Sequence, residues 1–173
     1  MKGKILDRSP SSRAARWFVI YLVWISLLIP RTAIGEGAEK ITIGEIEDIV
    51  LLKWGVKYSA RIDTGATSSS LDARKIKIKN DIVNFELRGG KQLEVPLLEY
   101  RRVRTSVGRE RRPVVLIDIC LGSLHLLTQV TLTNRSHLKY ALLIGRRVLK
   151  GYFVVDVSRR NTTRPSCPEL RFK

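Results

Sequence analysis

From Ile41 onward, the sequence consists of short runs rich in β-branched and other apolar residues, interrupted by Gly, Asn and Asp. Apolar residues do not recur every three to four positions over any long stretch, so an extended amphipathic helix is not expected. Short runs between turn-forming residues predict an all-β domain. The predicted strands are Glu45–Leu52, Lys57–Ile62, Lys75–Ile78, Ile82–Arg88, Gln92–Pro96, Glu99–Thr105, Arg112–Leu121, Ser123–Leu132, Ala141–Ile144 and Phe153–Val157.

So many short strands in one domain favour a barrel or a closed sandwich, because closure hides the strand edges from solvent. Lys79-Asn80-Asp81 and Arg88-Gly89-Gly90-Lys91 carry the residue types of hairpin turns. The helical candidate is Arg146–Lys150, with Gly151 just after its end. We therefore expect a single β domain with one short helix.

The amino-terminal segment has the pattern of a secretory signal. Residues 1–16 contain five basic residues and one acidic residue, and the 13-residue apolar run Trp17–Ile29 follows. A run of this length is short of the roughly 18 to 20 residues that span a membrane. Small residues at Ala33 and Gly35 predict cleavage after Gly35 and export to the periplasm. The alternatives are an uncleaved anchor in the inner membrane, made by residues 17–29, and a buried core helix.

The chain is strongly basic and poor in cysteine. Its 173 residues suit one domain, and 32 Lys and Arg against 16 Asp and Glu give a net charge of +16. Residues 1–35 hold six basic side chains and one acidic one, so the remainder keeps a net charge of +11. Such a charge attracts anionic partners. Two cysteines and two histidines exclude a zinc finger or a disulfide scaffold, and the sequence leaves open whether Cys120 and Cys167 pair.

The segment from Tyr58 to Ser68 is the strongest candidate for chemistry. In it a predicted strand runs into Asp63, Thr64 and Gly65. A sharp turn at the glycine exposes the carboxylate, and nearby N–H groups can fix its direction and favour its ionised form. The alternative is an ordinary Asp-Thr-Gly turn between two strands.

A second motif supports the catalytic interpretation. About 80 residues after Asp63, the apolar run Ala141–Ile144 ends in Gly145-Arg146. Together the two motifs resemble those of the retropepsin-like aspartic proteases. The resemblance is closer to the bacterial branch labelled ATP-dependent zinc proteases, and it is carried by five motifs in order: Gly44-Glu45, Ala60–Ala66, Arg104–Glu110, Thr131–Ser136 and Leu142–Arg147.

This resemblance extends from Glu45 to Ser158 and implies a single-lobed acid-protease barrel in which the second strand passes through the loop that carries Asp63. It also implies an active homodimer, because aspartic proteolysis uses two carboxylates that share a proton and each chain has one such motif. Thr64 would then bond across the two-fold axis. The implied catalytic residues are Asp63, Thr64 and Gly65, and the implied flap and substrate-binding residues are Ala66, Ser106, Val107, Gly108, Arg109, Glu110, Ile144, Gly145 and Arg146. The Gly89-Gly90 turn is the alternative flap.

The sequence does not favour a cofactor. A glycine-rich loop ending in Lys-Ser/Thr, the common signature for ATP, is missing. Two positions at which relatives tend to carry histidine hold Asp72 and Arg109 in this chain. Neither His125 nor His137 has a second donor at metal-ligand spacing. We therefore expect neither zinc nor ATP, and we interpret Asp72 as a local cap.

Arginines crowd the predicted flap, at positions 101, 102, 104, 109, 111 and 112. They could guide an acidic peptide or another polyanion to the cleft, or they could form a solvated outer face. Few aromatic residues accompany them, so nucleic acid is not an expected partner. Residues 159–173 are predicted to be a mobile basic tail.

Three functional hypotheses follow. The first is an exported dimeric endopeptidase that cleaves a peptide or protein substrate, with acidic peptides among the candidates. The second is an inactive binding module with the same fold. The third is a basic barrel that coats membrane or cell-wall anions.

Overall fold

The computed structural model describes residues 39–105 and 108–168. The predicted signal segment, residues 1–35, lies outside them. The strands are β1 Ile41–Gly44, β2 Ile46–Leu51, β3 Val56–Asp63, β4 Ser69–Lys79, β5 Ile82–Leu87, β6 Gln92–Pro96, β7 Glu99–Thr105, β8 Gly108–Leu121, β9 Leu124–Thr133, β10 Leu142–Gly145 and β11 Phe153–Asp156. A 3-10 turn, Leu52–Trp54, follows β2, and the helix α1, Arg146–Leu149, follows β10. Within the described ranges, no helix is both long enough and apolar enough to cross a membrane.

Six strands pair in a closed ring, in the order β10, β3, β2, β8, β9, β4 and back to β10. The remaining strands of this sheet, β5 and β6, extend it beyond β4, and β7 pairs with β8. Separately, β1 and β11 form a two-stranded parallel sheet. The expected all-β class and the closure of the sheet are confirmed.

The core lies inside this ring. Ile49, Leu71, Ile117, Leu132 and Ile144 are fully or almost fully buried and come from five different strands of the ring. Several strands alternate buried and exposed residues, as the pleat requires when one face meets the core. At the turn between β4 and β5, Asn80 and Asp81 both have positive φ, the conformation that a two-residue hairpin turn needs.

Strand β4 is longer than the predicted Lys75–Ile78. Its first five residues, Ser69–Ala73, are all buried because this half of the strand lies between β9 and β10. The prediction missed this segment because its serines and Asp72 are polar, as in a surface loop. Strand β1 also escaped prediction, since it has four residues and depends on β11 for its pairing.

The carboxyl-terminal segment corrects another prediction. Residues 159–168, expected to begin a mobile tail, are held against the domain. Thr162 and Thr163 donate hydrogen bonds to the buried Glu47, and Cys167 forms a disulfide with Cys120. The ordered domain therefore continues past the predicted end at Ser158. Partners 115 positions apart leave no local signal in a sequence.

Candidate active site

Asp63 is the last residue of β3, and its carboxylate is held by the backbone of the turn that follows. Its Oδ1 atom accepts the N–H groups of Gly65 at 2.9 Å and Ala66 at 3.0 Å. The side chain is half-buried. Hydrogen bonds of this kind fix the direction of a carboxylate.

Strand β10 packs against this turn. It runs parallel to β3, with Gly145 paired to Asp63. A side chain at Gly145 would place Cβ 2.6 Å from the carbonyl carbon of Ser68, so only glycine fits this close approach. The N–H of Arg146 then donates to the carbonyl of Ala66 at 2.9 Å. The two motifs singled out in the sequence are thus built into one structural unit.

Three other predicted site residues, Ile144, Arg146 and Thr64, differ from one another in burial and in contacts. Ile144 is fully buried in the core. Arg146 donates to the Thr67 hydroxyl at 3.2 Å. Thr64 is exposed and lines a cavity of about 480 Å³ together with Arg146 and Phe153.

Beside the Asp63 turn lies a second cavity of about 480 Å³, which we call the arginine cavity. Residues 65–68 form one wall, and β7 and β8 contribute to another. Among the described residues that line it there is no carboxylate, whereas six are arginines: Arg101, Arg102, Arg104, Arg112, Arg135 and Arg147. The cavity is therefore suited to an anionic ligand.

Two polar atoms in this region have no hydrogen-bond partner in the described part of the chain. They are Ser70 Oγ and Arg135 Nε, both buried, and both residues line the arginine cavity. A buried polar atom without a partner is unfavourable. A ligand or water in the cavity could supply the missing hydrogen bonds.

The pKa of Arg135 depends on the charges around the arginine cavity. Burial lowers the pKa of its guanidinium, and the positive charges of Arg112 and Arg88 lower it further, whereas Asp72 and Asp63 act in the opposite direction. The net shift is downward, and burial is its largest cause. An anion in the arginine cavity would reduce the repulsion between Arg135 and Arg112.

Gln129, which was not among the predicted site residues, forms hydrogen bonds to two walls of the arginine cavity. Gln129 Oε1 accepts hydrogen bonds from Arg101 at 2.7 Å and from Arg147 at 3.1 Å. Arg101 also donates to the Ser68 hydroxyl at 3.1 Å. This network connects β7 to the Asp63 turn, and the wide spacing of its members along the chain concealed it.

Strands β7 and β8 form the hairpin predicted to carry the flap. Ser106 and Val107, at its tip, lie outside the described residues, while Gly108, Arg109 and Glu110 begin β8 and are exposed. The register places Arg101 opposite Arg112, Arg102 opposite Arg111 and Arg104 opposite Arg109. Like charges directly opposite each other weaken a hairpin. The rival turn at Gly89-Gly90 joins β5 to β6 and does not line the arginine cavity.

Asp72 does not fit the role of a zinc ligand. It is almost fully buried, and its two oxygens accept the Arg135 N–H at 2.6 Å and Arg88 Nε at 3.1 Å. Arg88 also donates to the carbonyls of Arg135, Leu138 and Lys139. Asp72 therefore links β4 to the loop after β9 through long-range hydrogen bonds. The prediction that it is a local cap is wrong. Arg88 had no sequence signal, since these carbonyls lie 47 to 51 positions away.

The histidines likewise offer no set of metal ligands. His125 Nε2 lies 2.8 Å from Asp118 Oδ1 on the neighbouring strand, and His137 lies in the loop after β9. Across residues 39–105 and 108–168, no three His, Cys, Asp or Glu side chains are grouped so that they could hold a metal ion.

Comparison with known proteins assigns the domain to a family. A sequence model described as "Retropepsin-like aspartic endopeptidase RimB" matches residues 42–166. A "Probable alpha-L-glutamate ligase" of Parasynechococcus marenigrum is 34% identical over 130 aligned positions, and the match covers 68% of this chain and 28% of that protein. A protein of the same description from Shewanella halifaxensis is 32% identical over 132 aligned positions, and the match covers 69% of this chain and 29% of that protein. The chain thus spans less than a third of the length of these curated relatives.

A solved structure agrees with the fold. The crystal structure of a protein of unknown function from Legionella pneumophila aligns with a TM-score of 0.64 and 30% identity, covering 73% of this chain and all of that one. The family match covers nearly the whole described domain and includes both Asp63 and Gly145. The chain therefore belongs to the RimB-like family of retropepsin-like aspartic endopeptidases.

Proposed function

We propose that this protein is an exported aspartic endopeptidase that acts as a homodimer on acidic peptides. The observation that carries the proposal is the geometry of Asp63. One of its oxygens is fixed by two N–H groups, and the other accepts no hydrogen bond from the described residues. Such a carboxylate is oriented but still has lone pairs available for chemistry.

The reaction requires a second copy of the chain. One Asp63 carboxylate, ionised, takes a proton from the attacking water, while the other, protonated, donates to the carbonyl oxygen of the scissile bond. The exposed Thr64 and the cavity that it lines belong to the surface that meets the second copy.

The arginine cavity supports an acidic substrate. Its six arginines and lack of carboxylates favour side-chain carboxylates near the scissile bond. The relatives described as glutamate ligases point to the same chemistry, because a peptide extended with glutamate is polyanionic. Their ligase activity belongs to proteins of which this chain spans less than a third.

The proposal of export rests on the amino-terminal sequence pattern. The disulfide between Cys120 and Cys167 supports it, since such bonds persist in oxidising compartments. An uncleaved anchor at residues 17–29 would place the same domain on the periplasmic side of the inner membrane.

Cleavage of an unbiased peptide mixture tests the catalytic role. The purified protein is incubated between about pH 4 and 8, and the products are read by mass spectrometry. We expect Asp63→Asn to lower the cleavage rate by at least about 10²-fold. Asp81→Asn is the matched control, because it removes the same charge from an exposed turn and leaves cleavage unchanged. A chelator should have no effect.

Cleavage that survives Asp63→Asn would refute the proposal. Loss of cleavage in chelator would instead indicate a metal-dependent reaction. Preference for peptides rich in Asp and Glu is expected, and cleavage confined to neutral or basic peptides would contradict the proposed substrate class.

A non-catalytic binding module is the second candidate. The arginine cavity favours it, because that cavity is complete within one chain whereas the dyad needs two. In this case the folded protein would bind acidic peptides without cutting them, and Asp63→Asn would leave the affinity unchanged.

A further inference from the structure

Arg112 lies between two cavities. It lines the arginine cavity, and it also lines a neighbouring cavity of about 670 Å³. The neighbouring cavity is bordered by residues 74–76 of β4, residues 110–113 of β8 and residues 132–134. One guanidinium is therefore part of the wall of both.

The partner of Arg112 comes from its own strand. Arg112 Nε and Nη2 both donate to Glu110 Oε2, at 2.8 and 2.7 Å. Oε1 of the same glutamate lies 3.4 Å from the Thr133 hydroxyl. Within the described part of the chain, these are the hydrogen bonds that the Arg112 side chain makes.

Burial differs sharply between the two partners. The Arg112 side chain is only 14% exposed, whereas that of Glu110 is 48% exposed. A buried cation without a counterion is strongly unfavourable, so Arg112 needs a carboxylate in this position. The exposed Glu110 supplies one from the solvent side, in the way that a bound ligand would.

We propose that Arg112 forms a second carboxylate-binding subsite, which Glu110 fills until an acidic side chain of the peptide displaces it. This inference rests on the proposed acidic substrate. Glu110 can leave by side-chain rotation alone, because it is exposed and two positions away on the same strand. The exchange replaces one carboxylate by another and breaks no covalent bond.

The neighbouring cavity has further groups that suit this role. Arg74 Nε is buried there without a hydrogen-bond partner among the described residues. Lys75 and Arg111 line the same space, although Glu86 already pairs with Lys75 at 2.8 Å. A peptide with two separated acidic residues could place one in each cavity, which would extend recognition beyond the residues next to Asp63.

Binding of two labelled peptides tests the inference. The probes are fluorescent hexaglutamate and hexaglutamine, and their affinities are measured with the full chain carrying Asp63→Asn so that neither is cut. We expect Glu110→Gln to tighten hexaglutamate binding about three- to fivefold, because the peptide no longer competes with Glu110 for Arg112. This factor corresponds to the free energy of one partly exposed ion pair. Hexaglutamine binding should not change.

Two further variants separate competition from general repulsion. Glu94→Gln removes one negative charge from an exposed position on β6 and should leave hexaglutamate affinity unchanged. In an Arg112→Gln background, Glu110→Gln should have no effect, because the residue for which the two carboxylates compete is gone.

Weaker or unchanged hexaglutamate binding by Glu110→Gln would overturn the inference and make Glu110 a positioning residue for Arg112. Equal tightening by Glu94→Gln would also overturn it. If the parent binds hexaglutamate and only the Glu110 effect is missing, the subsite fails but the proposed substrate class stands. If no variant binds hexaglutamate, the acidic substrate fails as well, independently of whether Asp63 cleaves other peptides.

Discussion

Two carboxylates in this domain are held in opposite ways. Glu47 is fully buried, and both of its oxygens accept hydrogen bonds, from the Gly44 N–H and from the N–H and hydroxyl groups of Thr162 and Thr163. Asp63 is half-buried, and the described residues donate to only one of its oxygens. A carboxylate with all its lone pairs engaged serves structure, whereas one with an open oxygen beside a basic cavity is available for chemistry.

The two regions also differ in what holds them together. Around Asp63, backbone contacts build the turn, with β10 packed so closely that Gly145 has no room for a side chain. Around Glu47, side-chain hydrogen bonds and a disulfide fasten the carboxyl-terminal segment. The following predictions test this difference, from the largest expected effect on stability to the smallest.

Gly145→Ala should be the most damaging change. Its Cβ would lie 2.6 Å from the carbonyl carbon of Ser68 and 2.8 Å from that carbonyl oxygen, so backbone has to move. We expect a loss of more than about 4 kcal/mol in unfolding free energy, or failure to fold. Chemical denaturation measures it, and a loss below about 1 kcal/mol would show that the turn adapts easily.

Replacing both Cys120 and Cys167 by alanine should release the carboxyl-terminal segment from β8. The disulfide closes a loop of 47 positions, for which a loss of about 2–4 kcal/mol is expected. Thermal unfolding with and without reductant checks it: the parent should lose stability in reductant and the variant should not. Equal stability of the two proteins without reductant would contradict the prediction.

Glu47→Gln should cost about 2–3 kcal/mol at neutral pH, because the amide cannot accept all the hydrogen bonds that the carboxylate accepts. Burial would raise the pKa of Glu47, but the hydrogen bonds from Thr162, Gly44 and Thr163 outweigh it and hold the pKa below its ordinary value of 4.5. The stabilisation by Glu47 is thus present above about pH 4.5 and is lost as the pH falls through the lowered pKa.

The stability difference between the parent and Glu47→Gln should therefore shrink as the pH falls below 4.5. Urea denaturation at several pH values from neutral to acidic measures it. A difference that grows toward low pH would show that Glu47 is protonated in the folded protein.

Gly65→Ala should do the least to stability and more to activity. The added Cβ would lie 3.2 Å from Asp63 Oδ1, a side-chain atom that can shift. We expect a loss below about 1 kcal/mol in unfolding free energy. If Asp63 acts as proposed, the cleavage rate should fall about 10- to 100-fold, since misplacing its carboxylate is costly. A fall in stability as large as that of Gly145→Ala, measured by the same denaturation, would erase the contrast between the two glycines.

Much of the fold was predictable because it follows from local chemistry. Apolar runs between turn residues located β5, β6 and β7 closely, and Asn80-Asp81 adopts the positive φ angles that a tight turn demands. These features depend on neighbours along the chain. The first half of β4 could not be found in this way, since its serines and Asp72 are buried by two strands from elsewhere.

The sequence by itself determined the all-β class, the turn that bears Asp63 and the glycine at the end of β10. The first two depend on backbone conformation and on residues a few positions apart, and Gly145 was found from the apolar run that it ends. Three features could be seen only in the tertiary structure. They are the arginine cavity, the ion pair between Arg112 and Glu110 at the junction of two cavities, and the hydrogen bonds that Thr162 and Thr163 donate to Glu47. Hydrogen bonds and ion pairs depend on distance in space, and the folded domain brings together residues that lie up to 116 positions apart in the chain.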